Sequence, residues 1–171
     1  MGIVTKVGDQ GRTSLLHSKR VYKDNVLIEV AGVLDELNAF LGLSKASIKC
    51  KRRKKIIADI QKDLFLIAAE LVVDKSKYKS LKKKISVERV SYLENLIDNF
   101  EGKNKFNSFI NLDPNSCSAS INVARVISRK LERRVVSLKK KKLLLNNLIL
   151  VYLNRLSDLL FLLAWSFEKH E

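Results

Sequence analysis

Apolar residues recur at three- and four-residue steps from position 26 almost to the end of the chain, which is the period of one helical face. The pattern predicts five helices, at residues 26–46, 56–73, 87–97, 114–138 and 143–167. The connections between them are short, so we expect an all-α, five-helix, up-and-down bundle. The first 25 residues are polar and show no sustained period. The chain is therefore predicted to be a single domain, residues 1–171, with a ligand-binding loop at 1–25 and a helical bundle at 26–168.

Each of the first three predicted helices carries one apolar face. These faces consist of Val30, Val33, Leu34, Leu37, Phe40 and Leu41, then Ile56, Ile60, Leu64, Ile67 and Leu71, then Val87, Val90, Leu93, Leu96 and Ile97. The residues expected on the opposite sides are Asp35, Asn38 and Gly42 in the first helix and Asp59, Lys62 and Asp63 in the second.

Polar side chains stand where three of the helices are expected to begin. Asp24 or Asn25 can cap the first helix, and Ser86 stands just before the third. Asp113 followed by Pro114 is typical of a cap with proline at the first helical position, and it predicts the start of the fourth helix.

The fifth predicted helix is apolar on almost every face, which indicates an element that other helices surround. Residues 143–165 are also the most membrane-like stretch of the chain. Asn154, Arg155 and Asp158 lie in its middle, where charged groups are costly in hydrocarbon. We therefore interpret it as a buried helix and expect no membrane partner.

Composition adds a strong positive charge and argues against several kinds of site. The 171 residues contain 33 Lys and Arg against 18 Asp and Glu, a formal net charge of +15. Cys50 and Cys117 cannot make a disulfide framework, and a structural zinc site is not expected because His17 and His170 stand at opposite ends. The N-terminus lacks the apolar core of a signal peptide, so we expect a reducing, cytoplasmic location.

Lysine-rich runs fall between the predicted helices at residues 51–55, 82–84 and 139–142. Such runs are usually solvated surface. Nucleic-acid binding is the alternative, but it would need a recognisable motif or aromatic residues interleaved with the basic ones, and the aromatic residues here follow core spacing. We therefore expect no nucleic-acid partner, although the positive field should attract polyanionic small ligands such as nucleotides.

The N-terminal segment has the composition of a phosphate-binding loop. Gly8 and Gly11 allow the backbone to approach a ligand closely, while Lys6, Arg20 and Lys23 supply positive charge. These features suit a polyphosphate. The segment is not a Walker loop, however, and a mobile polar terminus has a similar composition, so both interpretations stay open on composition alone.

The fourth predicted helix gathers its charges on one face. At about 100° per residue, one arc holds Asn122, Arg125, Arg129, Glu132 and Arg133, and the other side holds Val123, Ala124, Ile127, Leu131 and Val135. One alternative is an exposed face with ion pairs such as Arg129 with Glu132. The other is a phosphate or carboxylate site, which arginine favours because its planar guanidinium donates two parallel hydrogen bonds.

Asn154 and Asp158 interrupt the apolar fifth helix four residues apart, so they share a face. A buried helix cannot carry uncompensated polar groups without a substantial free-energy cost. These two residues therefore predict a structural hydrogen-bond network, a ligand site or a subunit interface.

Five segments, taken in order, resemble a known family. They are TKVGDQGRTSLL, KRVYKD, EVAGVLDELNAFLG, SINVARVISRKLERRVV and YLNRLSDLLFLLA. Their order and spacing, from Thr5 to Ala164, resemble the PduO-type ATP:cob(I)alamin adenosyltransferases, which make adenosylcobalamin. The resemblance implies a ferritin-like five-helix bundle, a homotrimer and active sites between subunits. It also implies that the cobalt of the corrinoid attacks the 5′-carbon of ATP, with no catalytic Ser, Cys or His.

The resemblance further implies the residues of each substrate site. The residues expected to contact ATP are Thr5, Lys6, Val7, Gly8, Asp9, Gly11, Thr13, Ser14 and Lys23 of the loop and Arg129, Lys130, Leu131, Glu132, Arg133 and Asn154 of the helices. The implied catalytic residues are Arg129, Glu132, Asp35 and Arg125, and Glu132 is also a ligand for Mg²⁺. Asp35 and Arg125 match a salt bridge across the subunit interface, and Phe109 matches an aromatic residue below the corrin ring.

The chain departs from the family pattern in three places. Residues 111–115 replace a glycine pair after Phe109, Ser18 replaces a common glycine, and Lys130 replaces a common arginine. A reductase and an adenosylcobalamin-dependent acceptor enzyme are further implied partners. Two other functions stay open from the sequence: a nucleotide or corrinoid carrier without turnover, and a nucleic-acid-binding bundle.

Overall fold

The computed structural model describes residues 4, 6–16, 20–102, 112 and 115–167. Within these residues the chain forms five α-helices, which are α1 (Val26–Ser47), α2 (Lys51–Val72), α3 (Val87–Glu101), α4 (Ser116–Lys140) and α5 (Leu148–Trp165). Two short strands, β1 (Arg12–Ser14) and β2 (Arg20–Tyr22), pair antiparallel ahead of α1, and a 3-10 helix, Lys75–Ser80, follows α2. The predicted all-α, five-helix fold is confirmed.

Successive helices run antiparallel, so the chain passes up and down the bundle. α1 packs against α2 and α4, and α5 packs against α3 and α4. At one end, Arg53 near the start of α2 donates to the Ser166 carbonyl just after α5 (3.3 Å). At the other end, Asn146 before α5 donates to Glu70 near the end of α2 (2.9 Å). The hairpin of β1 and β2 is attached at this second end, because Leu16, two residues after β1, bonds to the end of α2. We therefore name it the hairpin end.

α5 lies at the centre of the core, as its apolar sequence predicts. The fully buried side chains of this helix are Tyr152, Leu153, Leu156, Leu159, Leu160, Leu163 and Ala164. Among the described helices, α5 alone is long and apolar enough to cross a membrane, but 61% of it is buried inside the protein. It begins five residues later than predicted, since Asn146 is held outside the helix by Glu70 and the Ile85 carbonyl.

α2 begins at Lys51, five residues earlier than predicted. The basic run at residues 51–55 therefore forms the first turns of this helix and does not lie between helices, as the sequence suggested. The apolar period cannot reveal this start, because the first five residues of α2 are all charged.

Asparagine caps begin α1 and α4. The Asn25 side chain accepts a hydrogen bond from Leu27 N (2.9 Å). The N-cap of α1 is therefore Asn25 and not Asp24. Ser86 stands at the N-cap position of α3, as predicted. At α4 the cap is Asn115, which accepts from the amide three residues on (2.9 Å), so the predicted cap at Asp113 is wrong. Asp113 and Pro114 themselves lie outside the described residues.

Three predicted orientations are wrong. Val87 and Val123, expected in the core, are 61% and 41% exposed. Asp63, expected on the solvent side of α2, is 3% exposed. The buried face of α4 is therefore rotated slightly around the helix from the predicted apolar face. The residues on this buried face are Ser118, Ile121, Ala124, Ser128, Leu131, Val135 and Leu138.

The Asp63 carboxylate joins three helices inside the bundle. Arg89 of α3 donates to both of its oxygens, from Nε (2.9 and 3.0 Å) and from a terminal nitrogen (2.6 Å), and the Tyr152 hydroxyl of α5 donates at 2.8 Å. The Arg89 guanidinium also stacks on Tyr92, 4.4 Å from the ring centre. Burial and the adjacent Asp63 charge raise the pKa of Tyr152 well above its usual value, so its hydroxyl remains a proton donor.

A second buried carboxylate, Glu70, joins the connections at the hairpin end. It accepts hydrogen bonds from the Tyr78 hydroxyl (2.7 Å), the Ile85 amide (2.6 Å) and the Asn146 side chain (2.9 Å). Burial, together with the hydrogen bond to Glu70, raises the pKa of Tyr78. Glu70 thus links the 3-10 helix, and the residues just before α3 and α5, to the end of α2.

The C-terminus of α4 ends in a Schellman motif with an unusual residue. Leu143 N donates to the Leu138 carbonyl and Lys142 N to the Lys139 carbonyl, both at 2.9 Å. Lys142 has φ +59°, in the left-handed region that this motif requires and that glycine adopts without strain.

We expect Lys142→Gly to raise the free energy of unfolding by about 1 kcal/mol, because it removes the steric cost of a left-handed lysine. Urea unfolding measures the change. Lys142→Ala is the matched control, since it removes the same charge but keeps the strained conformation, and it should give no gain. An equal gain in both variants would mean that charge, and not backbone conformation, limits stability here.

We expect Asp63→Ala to lower the free energy of unfolding by about 3 kcal/mol, because it leaves Arg89 and the Tyr152 hydroxyl without their acceptor. Asp59→Ala is the control on the same helix. Its carboxylate pairs with Lys62 at 2.9 Å, and the lysine side chain is 75% exposed, so the loss should stay below about 1 kcal/mol. Equal losses in denaturant unfolding would show that the buried cluster adds no more stability than a surface ion pair.

Candidate functional site

The N-terminal segment folds as a small hairpin that is attached to the bundle by backbone hydrogen bonds. Thr13 of β1 pairs with Val21 of β2. Beyond β1, Leu16 N donates to the Val72 carbonyl (3.1 Å), and Asp74 N donates to the Leu16 carbonyl (3.2 Å). The hairpin was not predicted, because strands of three residues are too short to show an alternating period.

The loop ahead of β1 consists mostly of exposed residues and is closed by backbone hydrogen bonds. Asp9 N donates to the Lys6 carbonyl (3.3 Å) and Gly11 N to the Gly8 carbonyl (3.2 Å), which makes two successive turns. Gly11 has φ +71° and Lys6 has φ +54°. Lys23 N closes the loop by donating to the Gly11 carbonyl (2.9 Å).

Two basic side chains from β2 and the residues after it hold this loop. Arg20 donates to the Val7 carbonyl. The Lys23 ammonium lies against Gly8, where an added Cβ would be 3.3 Å away. The predicted loop residues Lys6, Val7, Gly8, Asp9, Gly11, Thr13, Ser14 and Lys23 are therefore brought together, whereas Thr5 lies outside the described residues. Exposed turns beside the Lys23 ammonium suit an anionic ligand.

The central part of α4 presents the predicted charged face. Arg129 and Arg133 are exposed and Glu132 is half-buried. Leu131 points to the opposite side and is fully buried, so its side chain anchors this stretch in the core and cannot reach a ligand at the surface. Lys130 pairs with Glu36 of α1 at 2.9 Å, and sequence reasoning gave no sign of that partner.

A polar network connects this face to α5 and α3. Asn154 donates to Glu132 (3.3 Å), and Arg155 donates to Asn154 (2.8 Å) and to Glu94 (3.0 Å). Arg155 also lies 3.8 Å from Asp158. Glu94 and Arg155 had no predicted role, although the i,i+3 spacing of Arg155 and Asp158 is a signal for such a contact.

The premise that Asn154 and Asp158 are buried is wrong. Asn154 is exposed and the Asp158 side chain is 54% exposed, because this strip of α5 reaches the surface between α3 and α4. Partial burial nevertheless raises the pKa of Asp158, against the opposing effect of Arg155. Beside it, Glu94, Asp98, Arg155 and Asp158 line a groove of about 440 Å³.

Asp35 and Arg125 do not pair within the chain. Asp35 is exposed on α1 and forms no hydrogen bond or ion pair with the described residues. Arg125 donates to Asn122 one turn away on α4 (3.0 Å). The exposed surface of these two helices also includes apolar side chains, namely Leu43, Val123 and Val126.

The predicted ATP site has two parts, the N-terminal segment and the charged face of α4. In the described part of the molecule, no hydrogen bond or ion pair joins the N-terminal segment to Arg129, Glu132 or Arg133. The described residues also contain no group of three or more His, Cys, Asp or Glu side chains that could hold a metal ion. Phe109 and most of residues 111–115 lie outside the described part.

Comparison with known proteins gives one consistent result. The model of the cobalamin adenosyltransferase family matches residues 3–167. A corrinoid adenosyltransferase of Citrobacter freundii is 36% identical over 163 residues, which cover 95% of this chain and 92% of that protein. The corrinoid adenosyltransferase PduO of Salmonella typhimurium is also 36% identical, and the match covers 96% of this chain but 49% of that longer protein.

A solved structure shares the fold closely. A variant of the PduO-type ATP:corrinoid adenosyltransferase from Lactobacillus reuteri, complexed with cobalamin and ATP, superposes with a TM-score of 0.88 at 28% identity. The match covers 95% of this chain and 91% of that one.

Proposed function

The chain belongs to the cobalamin adenosyltransferase family, and we propose that it transfers the 5′-deoxyadenosyl group of ATP to the cobalt of reduced cob(I)alamin. The reaction releases triphosphate and forms adenosylcobalamin. Besides the family match, the observation that carries the proposal is the exposed arginine face of α4, on which Glu132 accepts a hydrogen bond from Asn154 of α5. Arginine forks at fixed positions are suited to a bound triphosphate.

In this reaction the electron pair of Co(I) attacks the 5′-carbon of ATP. The bond from that carbon to the triphosphate oxygen breaks, and its electrons leave with the triphosphate. The leaving group gains negative charge, which positioned cations stabilise most in the transition state. Lys6 and Lys23 of the loop and Arg129 and Arg133 of α4 supply those cations.

Mg²⁺ fits this site as an ion shared with the triphosphate. Because the described residues offer no cage of three ligands, the protein would contribute a single carboxylate, Glu132. This is the usual arrangement for Mg²⁺ on nucleotides, where phosphate oxygens and water supply most ligands. When bound, the ion offsets charge on the phosphates.

The active site is formed between subunits of a homotrimer in this proposal. Two observations support it: no described hydrogen bond or ion pair joins the loop to the arginine face within one chain, and Asp35 has no described partner there. The exposed apolar residues of α1 and α4, Leu43, Val123 and Val126, would be covered by the neighbouring subunit. Asp35 would then pair with Arg125 across the interface beside the corrinoid, and Phe109 would pack below the corrin ring.

The proposal also includes a cytoplasmic setting and two protein partners. The reaction needs Co(I), so a reductase must deliver an electron to Co(II). Its product is a cofactor, so an adenosylcobalamin-dependent enzyme must accept it.

Turnover can be tested by mixing the protein with ATP, Mg²⁺ and chemically reduced cobalamin and following the corrinoid spectrum. Formation of adenosylcobalamin with stoichiometric triphosphate is expected. Binding of ATP and cobalamin without any product would instead identify a carrier and overturn the proposal.

Arg129→Ala should lower kcat/KM by about a hundredfold, because it removes a cation from the departing triphosphate. Its circular dichroism and thermal midpoint should stay unchanged, since the side chain is exposed. Arg134→Ala is the matched control, because this exposed arginine points about 140° away around α4. If both variants kept the full kcat/KM, the arginine face would have no role in catalysis.

Asp35→Asn should weaken corrinoid binding or trimer assembly by about tenfold, because it removes one partner of a charge pair across the interface. ATP affinity should not change. Glu36→Gln provides the control, since it breaks a pair with Lys130 that is exposed and internal to one chain. Sedimentation and corrinoid titration separate the two effects, and a defect confined to ATP would contradict the role of Asp35.

A further inference from the structure

Lysines from two distant parts of the sequence converge at the hairpin end of the bundle. Ten of them make up what we name the lysine surface: Lys75, Lys77, Lys79, Lys82, Lys83, Lys84, Lys139, Lys140, Lys141 and Lys142. Nine are exposed, and Lys84 is half-buried where its ammonium lies 5.0 Å from the Tyr78 ring centre. The Glu70 hydrogen bonds bring the two segments to the same end, since they tie the 3-10 helix and the approach to α5 to the end of α2.

The lysine surface borders the N-terminal segment directly. A cavity of about 170 Å³ lies at the junction, and Leu15, Lys75 and Lys142 are among its lining residues. Leu15 immediately follows β1, which carries two of the proposed ATP-binding residues. The other lysines lie within ten residues of Lys75 or three of Lys142 along the chain.

Few carboxylates oppose this charge. Asp74 and Glu70 both line the same cavity, and Glu70 is buried and accepts three hydrogen bonds. Glu88 is exposed in the first turn of α3, and Asp24 and Glu29 stand around the start of α1. The lysines outnumber these groups, so the hairpin end has a positive field.

We propose that the lysine surface steers ATP electrostatically to the N-terminal segment and speeds its capture without contacting the bound nucleotide. This inference rests on the proposed function, which makes ATP the substrate. A polyanion approaching a positive surface is concentrated there, and association rates rise by 10-fold or more at low salt. Such a field acts beyond direct contact, because the Debye length is about 10 Å at 0.1 M salt and about 30 Å at 0.01 M.

The residue type agrees with steering. The two segments that form the lysine surface, residues 75–84 and 139–142, contain no arginine. Lysine is a strongly hydrated point charge on a flexible stem. Such a group contributes to a long-range field at little structural cost. The α4 face, where a fixed contact is proposed, has arginine at positions 129 and 133 instead.

The chain contains its own matched control at the opposite end of the bundle. Lys49, Lys51, Lys54 and Lys55 are exposed at and before the start of α2. α2 has 22 residues, so its two ends are about 33 Å apart. At moderate salt this distance is several Debye lengths, and these lysines should contribute little to the field at the hairpin end.

The experiment compares two quadruple variants that lose the same charge in different places. The first is Lys82→Gln, Lys83→Gln, Lys140→Gln and Lys141→Gln, and the second is Lys49→Gln, Lys51→Gln, Lys54→Gln and Lys55→Gln. Stopped-flow fluorescence with a fluorescent ATP analogue gives the association rate constant. At about 0.05 M salt we expect the first variant to associate about threefold to tenfold more slowly than the unmodified protein, and the second to change less than twofold. Near 1 M salt the difference should vanish, and kcat at saturating ATP should be the same for all three proteins.

Three results would overturn the inference. Equal slowing in both variants would show that net charge alone matters, and slowing that persists near 1 M salt would indicate a direct contact with ATP. No slowing in the first variant, with a thermal midpoint matching the unmodified protein, would show that the lysines are only solvated surface. The association rate is measured without turnover, so an unmodified protein that binds ATP but forms no adenosylcobalamin would contradict the proposed function alone.

Discussion

The rest of the structure depends on the need to bury α5. A helix that is apolar on almost every face is stable in water only when other helices surround it, and the packing of α5 between α3 and α4 meets this requirement. The exception is the strip that carries Asn154, Arg155 and Asp158, where α5 reaches the surface. The polar network forms along this strip, so the position of the candidate site follows from the packing of the core.

The bundle itself could be predicted from sequence, because apolar residues at helical spacing mark the buried face of each helix. The start of α2 could not be predicted, since its first five residues are all charged and show no apolar period. The burial of Asp63 was also missed. Its partners Arg89 and Tyr152 lie 26 and 89 residues away, and no local pattern shows that three helices will bring them together.

The candidate site was only partly visible in the pattern. One arc of α4 contained the exposed Arg129 and Arg133, and helical spacing alone revealed it. Spacing could not show that Leu131, inside the same motif, faces the core, nor that Glu94 of α3 completes the network through Arg155. The geometry shows how differently the two parts of the candidate site are held. Side chains on α4 and α5 are fixed by a packed core, whereas the loop is held by its own turns and its attachment at Leu16.

That attachment has a thermodynamic consequence. The two backbone hydrogen bonds at Leu16 contribute about 1–3 kcal/mol together, far less than the roughly 5–15 kcal/mol that holds a typical domain folded. We therefore expect the N-terminal segment to detach by local unfolding more often than the whole bundle unfolds. A nucleotide that binds only the attached form would have an apparent affinity reduced by the fraction of time the segment is detached. Substitutions at Leu16 would then change nucleotide affinity by changing the fraction of molecules in which the segment is attached. They would do so without altering any contact with the nucleotide.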